Sequence, residues 1–422
     1  MFRNLLSLEE VRAVLEQNFS PKPLGVEQIP LSEVHGRVLA KDVVAPIDVP
    51  PFNRSTVDGY AVRARATFGA EEDRPVALKF CGSIGIGEPP SVVLKNRMAA
   101  ETVTGAPLPD SADAAVMVEY TIREDDTIFV HRAVSKGENV MRAGSDIRKG
   151  ETILKKGQKI SSREMGVLAA LGITKVAVYK RPMVAIISTG AEIVDPEKPL
   201  SPGKIYDINA YTLSAAVREC GGEPINLGTI IDEMNQLKGA LRKALDLADV
   251  VVTSGGVSVG PKDILPQVLN RLGKPGVIVS GIAVKPGKPT TIAMIDGKPV
   301  FSLPGNPTSA LSMFYQLVRP QIYRMTGGRE KPSPVVKAFA EKRMFSARGR
   351  RTFTMVKLAC DKSGKLMASP VALGLSGAIT TLAKADGFVE IGEEQQFVEA
   401  GDEVLVTLFK PEMTFEKGKL QP

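Results

Sequence analysis

The sequence predicts a multidomain α/β plus β protein: a central α/β domain with a mostly parallel sheet, a β-rich arm domain before it and a C-terminal β-domain after it. Three observations carry that reading. Between Met183 and Gly328, unbroken apolar runs alternate with helical stripes, the pattern of strands covered on both faces. On either side, short β-branched runs are punctuated by glycine and proline, as in loop-joined β-structure. The chain has 422 residues, 43% of them hydrophobic, which is more than one core holds and enough to fill several.

The elements follow in order. Ser7 caps a helix over 8–19, with Glu10 three residues on and Leu8, Val11, Val14 and Leu15 at helical spacing. Pro21, Pro23 and Pro30 mark a loop. From Val38 to Ile153 the runs VALKF (from Val76), AVMVEY (from Ala115) and TIFVH (from Thr127) read as strands. Residues 161–182 hold a short helix and a strand, and Lys180-Arg181-Pro182 forms a joint. MVAIIS then opens the α/β domain. Leu213, Ala216, Val217 and Cys220 share one face of a helix over 209–220 that stops at Gly221-Gly222. Strand EPINLGTII follows, then a helix striped by Met234, Leu237, Leu241, Ala244, Leu245 and Ala248, then DVVVTSGG as a buried strand with a glycine turn. TTIAMI and KPVFSL flank Asp296-Gly297 as a hairpin, and LPGNP leads into an apolar helix ending near Met325. From Pro332 β-patterns return and end in EVLVTLF. The expected domains are 1–50 with 147–181 (N-terminal, linking), 51–146 (arm), 182–329 (α/β) and 330–422 (C-terminal).

Composition excludes several classes. Cys81, Cys220 and Cys360 are far apart with no CxxC, which argues against zinc ribbons, iron–sulfur sites and disulfide frameworks. With His35 and His131 as the two histidines, Ser-His-Asp catalysis and His-rich metal sites lack material, so any metal is expected to be hard and oxygen-bound. A net charge of +7, no Trp and 5% aromatics suit small anions and not nucleic acid. The start lacks a signal-peptide core and no apolar run reaches the ~18 residues of a membrane span, so no membrane partner and a cytoplasmic location are expected.

In parallel α/β sheets ligands bind beyond the strand C-termini, where TGAE, SGGVSVGPKD and LPGNP fall. Ser254, Gly255, Gly256, Ser258 and Gly260 make a flexible loop whose N–H groups can surround an anion, or a plain strand-to-helix turn. Residues 281–288 fail as a P-loop because Pro289 replaces the Ser/Thr, and GSIGIGEPP lacks the third glycine of a dinucleotide fingerprint. KPGKP sets Lys285 and Lys288 on a proline-stiffened segment suited to a dianion, and Pro304, Gly305 and Asn306 precede a helix N-terminus. Asp58, Asp146, Glu192, Asp232 and Asp263 are oxygen ligands of the type Mg²⁺ prefers; each alone also fits a cap or a solvated turn. Lys342, Arg343, Arg348, Arg350 and Arg351 lie in KRMFSARGRR, either a solvated basic hairpin or a source of anion contacts.

Seven strings occur together and in order: PPFNRSTVDGYAV, VTGAPLP, GSDI, STGAEIV, TSGGVSVGPKD, AVKPGKP and LPGNPTSA. With them the whole chain resembles the molybdopterin molybdenumtransferase (MoeA) family, represented in eukaryotes by the gephyrin E domain. The resemblance implies insertion of molybdate into the dithiolene of adenylylated molybdopterin with Mg²⁺, releasing AMP and Mo-molybdopterin. It further implies a molybdopterin-binding-like α/β domain and an elongated homodimer whose cleft lies between the α/β domain of one subunit and the arm of the other. By motif, Asp58, Thr104 and Asp146 come from the arm side, while Glu192, Asp232 and Asp263 face them from the α/β domain, these three as metal ligands. Lys285, Lys288 and Ser309 hold molybdate, with Arg350 and Ser376 closing the site. A molybdopterin adenylyltransferase and downstream cofactor-handling proteins are the implied partners.

Three departures stand out. TGAE replaces the family's frequent TGDE and leaves Glu192 without its neighbouring carboxylate; Met141 stands where relatives often have a basic residue, leaving Arg142 to supply that charge; GLSGAI replaces GSGM around Ser376. Tungstate insertion, pterin adenylylation and a non-enzymatic scaffold role are the alternative readings.

Overall fold

The computed structural model describes residues 5–256, 264–328, 333–371 and 380–409. Contacts divide the chain into two compact units, one of residues 28–178 and one of residues 1–27 with 179–422. Helix Leu8–Asn18, with Ser7 and Glu10 forming a complete capping box, buries Leu8, Val11 and Leu15 in one core with Val184, Leu213, Phe301 and Phe314 of the α/β domain. That apolar stripe packs into the α/β core.

The 28–178 unit carries the arm as a six-stranded sheet. Its order is Ala114–Met117, Gly59–Val62, Met98–Thr102, Val76–Ile84, Thr127–Val130 and Thr121–Glu124. AVMVEY is only partly strand, since Val118–Tyr120 turns as a 3₁₀ helix. Separate apolar clusters built around Val62, Leu78 and Ile128 and around Ile84, Leu94 and Leu108 belong to this sheet. Gly59, in the DGYA string, sits between two strands at φ 152°, and a Cβ there would lie 2.0 Å from the Val116 carbonyl oxygen. Only glycine lets the strands close at that point. Ile29, Leu39, Ile160 and Leu168 form the linking core, and helix Ser162–Ala170 carries its own capping box from Ser161 and Glu164.

In the other unit the central sheet runs Glu223–Ile230, Met183–Thr189, Val250–Ser254, Lys298–Leu303, Thr291–Ile295 and Pro275–Ser280. The first four are parallel; Thr291–Ile295 runs antiparallel to both of its neighbours and joins Lys298–Leu303 through the Asp296-Gly297 turn, both turn residues being at positive φ. Helices Met234–Leu247 and Leu265–Leu272 cover one face, packing Leu237, Leu241, Val268 and Leu269 on Ala185, Ile187 and Val251. Helix Asn209–Glu219 and the run from Pro307 to Met325 cover the other. Pro320 has no N–H to continue the ladder, and the five residues Phe314–Val318 just before it wind as a π-helix.

The C-terminal strands close into a barrel: Arg351–Cys360, Leu366–Pro370, Val335–Ala340, Glu403–Leu408 and Gly387–Ile391, the last pairing back on the first. Val356, Val389 and Val406 fill it.

Candidate active site

The parallel strands end side by side, with Ser188 opposite Ser254 and Ser254 opposite Leu303. After Met183–Thr189 the chain crosses to Glu223–Ile230 on one side and then to Val250–Ser254 on the other. The order therefore reverses at Met183–Thr189, the switch point at which open α/β sheets form their ligand crevice. Gly255 (φ 89°) and Gly256 (φ 65°) line it in a left-handed turn. A Cβ on Gly255 would stand 2.4 Å from the Thr189 carbonyl oxygen, and one on Gly256 would stand 2.7 Å from Thr189 Oγ1 and 3.1 Å from Asp232 Oδ1. At Gly190 (φ 143°) a Cβ would lie 2.8 Å from both Glu192 carboxylate oxygens. The glycines thus bring backbone, Thr189 and two carboxylates into one place.

Burial pushes the Asp232 carboxyl above its ordinary range, the Thr189 hydroxyl draws it down, and the Glu192 charge pushes it up again. Two neighbouring carboxylates, both on exposed residues, are donors of the type a hard divalent cation takes. Among the described residues no group of three acidic, histidine or cysteine side chains could hold a metal. Asp263, the third expected ligand, lies outside the described residues, as do Ser258, Gly260 and Ser376.

A cavity of about 530 Å³ opens between the α/β domain and the barrel, lined by Lys285, Lys288, Pro304, Asn306, Ser309 and Arg350 among others. The structure therefore joins six of the expected binding residues from three distant stretches. Lys285 is exposed, while Lys288 and Arg350 are half-buried. The KPGKP loop is closed by Ile282 N–H donating to Lys288 O at 2.9 Å and by the Thr290 N–H and hydroxyl donating to Gly287 O at 3.1 and 2.7 Å. Gly287 (φ 114°) lies against Met313, whose Sδ would be 2.6 Å from an added Cβ. Arg350 rides a turn in which Ser346 and Thr352 hydroxyls both donate to the Arg350 carbonyl oxygen at 3.3 Å. Thr308, which also lines the cavity, is 5% exposed, and its Oγ1 has no hydrogen-bond partner among the described residues. Sequence reasoning had passed over it.

The Ser254 hydroxyl is buried and accepts from Asn209 Nδ2 at 2.6 Å, which braces the loop. Gly305 contributes its carbonyl to the same amide at 2.7 Å. Asn209, at the start of its helix, was missed because a lone Asn there reads as a cap.

On the arm, Asp58 Oδ1 accepts from the Thr104 N–H at 2.7 Å, and that bond, then the Thr104 hydroxyl, holds the exposed carboxyl below its ordinary range. The DGYA and TGAP strings therefore form one feature. Asp146 lies elsewhere on this unit, exposed beside the Val49–Ile147 bridge, its N–H donating to Val49 O at 3.1 Å. Arg54 Nη2 lies 3.1 Å from the Met141 sulfur.

A reversing α/β sheet with glycines and two carboxylates at its switch point, and a cavity lined by Lys285, Lys288 and Arg350 on the same unit, has the form of a ligand-binding α/β site. Family models agree across the chain: the MoeA N-terminal region (domain I and II) matches residues 6–172, a probable molybdopterin binding domain 185–324, and the MoeA C-terminal region (domain IV) 337–409. Molybdopterin molybdenumtransferase of Haemophilus influenzae is 34% identical over 96% of this chain and 99% of its own. Molybdopterin molybdenumtransferase 2 of Mycobacterium tuberculosis is 36% identical over 94% and 98%. The crystal structure of a molybdopterin biosynthesis MoeA protein from Pyrococcus horikoshii superposes with a TM-score of 0.83 at 44% identity, over 97% of this chain and all of that one. The chain belongs to the molybdopterin molybdenumtransferase (MoeA) family, and so is a transferase with a role in molybdenum cofactor biosynthesis. Among the described residues no helix is long and apolar enough to cross a membrane.

The Asp232 environment has a pH consequence. Its folded value is raised, so the stability it contributes is present below the unfolded value and lost as pH rises through the folded one. Asp232→Asn is therefore expected to raise the melting temperature relative to wild type at pH 7 and to lose that advantage near pH 3. A melting difference of the same size at both pH values would contradict this environment.

Proposed function

We propose that this protein inserts molybdate into adenylylated molybdopterin, releasing AMP and Mo-molybdopterin. The observation that carries the reading is the cavity in which Lys285, Lys288, Arg350 and Ser309 converge beside the orphaned Thr308 hydroxyl. A tetrahedral dianion in a partly dehydrated site needs charge and fixed donors on several sides, and these residues supply both. Lys288 and Arg350 hold and orient the oxyanion. The Gly255-Gly256 turn and the Thr189 end of the sheet receive the phosphoanhydride, with backbone N–H groups offsetting its charge. Glu192 and Asp232, with Asp263, are the residues that would hold Mg²⁺, which when bound polarises the phosphoanhydride as a Lewis acid. No side-chain nucleophile is needed, which is consistent with two histidines in the whole chain.

The Asp58–Thr104 feature fits the same chemistry only if it reaches a cleft. Supply across an isologous homodimer, arm to neighbouring α/β domain, is the arrangement we favour. A cytoplasmic location and the adenylylating and cofactor-accepting enzymes as partners go with this reading. Tungstate, close in size and charge, would enter the same cavity.

Charge removal from the cavity tests the function. Following AMP and metal-pterin formation, Lys288→Ala or Arg350→Ala removes a charge-assisted contact worth about 1.5 to 3 kcal/mol. The half-saturating molybdate concentration is then expected to rise about tenfold to a hundredfold, with a smaller change for the adenylylated pterin. Unchanged molybdate dependence in both variants, or no AMP from the wild type with Mg²⁺ present, contradicts it.

Subunit mixing tests the assembly. Inactive Asp58→Asn and Asp263→Asn chains, mixed and shown to exchange, should regain part of the activity because mixed dimers own one intact cleft. No rescue in proven mixed dimers rejects a shared site.

A further inference from the structure

Helix Asn209–Glu219 starts on a side chain with no surface to serve. Asn209 is 7% exposed, and it is Asp207, not Asn209, that accepts from the Ala210 N–H of the first turn, at 3.0 Å. The Asn209 amide points instead to the two loops of the site. Nδ2 spends both protons, one on Ser254 Oγ at 2.6 Å and one on the Gly305 carbonyl at 2.7 Å. Ser254 Oγ passes its own proton to Pro304 O at 3.4 Å, and Gly255 N–H donates to Leu303 O at 3.1 Å. The amide orientation is fixed by chemistry, because a carbonyl oxygen turned toward Gly305 would meet another acceptor. One buried group thus ties the Ser254–Gly256 turn, which lines the crevice, to the Pro304–Asn306 turn, which lines the cavity.

We propose that Asn209 is a positioning residue that latches these two turns, so that crevice and oxyanion cavity order together and bind their ligands with positive coupling. The proposal rests on the functional reading above, in which the crevice takes the nucleotide end of the substrate and the cavity takes molybdate. The physical basis is shared ordering: a ligand that fixes one turn fixes the other through bonds in a low-dielectric interior, and the second ligand meets a turn already ordered. Coupling of this kind is reciprocal, so either ligand tightens the other equally.

The test is calorimetric titration of AMP into the full-length protein with and without saturating molybdate, for wild type, Asn209→Leu and Ser254→Ala. Asn209→Leu keeps the shape and removes both donors; Ser254→Ala removes one anchor and answers the question if the first variant melts early. In wild type, molybdate should tighten AMP binding by about fivefold or more, and AMP should tighten molybdate by the same factor. Asn209→Leu should bring the ratio to about one while each ligand alone binds within about threefold of wild type, and Ser254→Ala should give an intermediate ratio. Equal coupling in wild type and variants overturns the latch. So does a variant that weakens both ligands while keeping the ratio, because that is a merely structural role. A wild type that binds both probes independently overturns the latch alone, whereas one that binds neither overturns the functional reading and the latch with it.

Discussion

The site depends on how the KPGKP segment is held. On one side Ala283 N–H donates to Leu6 O at 2.8 Å, and on the other Arg351 N–H donates to Ala283 O at 2.9 Å. Val284 and Lys285 continue that parallel pairing with Arg351 and Thr352, the first strand of the barrel. The backbone of a loop with two lysines is thereby fixed between the N-terminal segment and the C-terminal domain, which lowers the part of the ordering cost that the backbone would add when an anion arrives. Arg351 fixes the same junction electrostatically: its guanidinium pairs with Glu9, with Glu390 at 3.2 Å and with Glu393 at 3.2 Å. These carboxylates come from the N-terminal helix and the barrel, so one cation joins the pieces that frame the cavity.

This clamp separates charges that look alike in the sequence. Within KRMFSARGRR, Arg343 takes a two-point contact with Glu399 and lies 5.0 Å over the Phe397 ring, Arg351 is spent at the junction, and Arg350 turns into the cavity. Arg343 and Arg351 are paired with local carboxylates, whereas Lys285, Lys288 and Arg350 line the cavity. The sheet end has the opposite character, with the carboxylates of Glu192 and Asp232 close enough for the charge of one to raise the pKa of the other.

Much of this was legible locally. The Ser7–Glu10 box, the helical stripes and the Asp296-Gly297 hairpin each follow from a few neighbouring residues, and the structure has them where periodicity puts them. Membership in the family followed from ordered strings, which also named both members of the Asp58–Thr104 pair. What the sequence hid is tertiary. The packing of residues 1–27 with the α/β domain, the strand pairing of 284–285 with 351–352, and the burial of Ser254 all require segments tens to hundreds of residues apart. Asn209 and Thr308 were hidden for the same reason, since a polar residue at a helix start reads as a cap until its partners are seen.

The central claim is that an oxyanion binds in the clamped cavity and not at the sheet end. The most direct measurement is an anomalous difference map at the molybdenum edge from crystals of the wild-type protein soaked in molybdate. The account predicts one dominant peak within hydrogen-bond reach of Lys288, Ser309 and Arg350. A dominant peak at the Gly255-Gly256 turn, or none in the cavity at concentrations that support turnover, would contradict it.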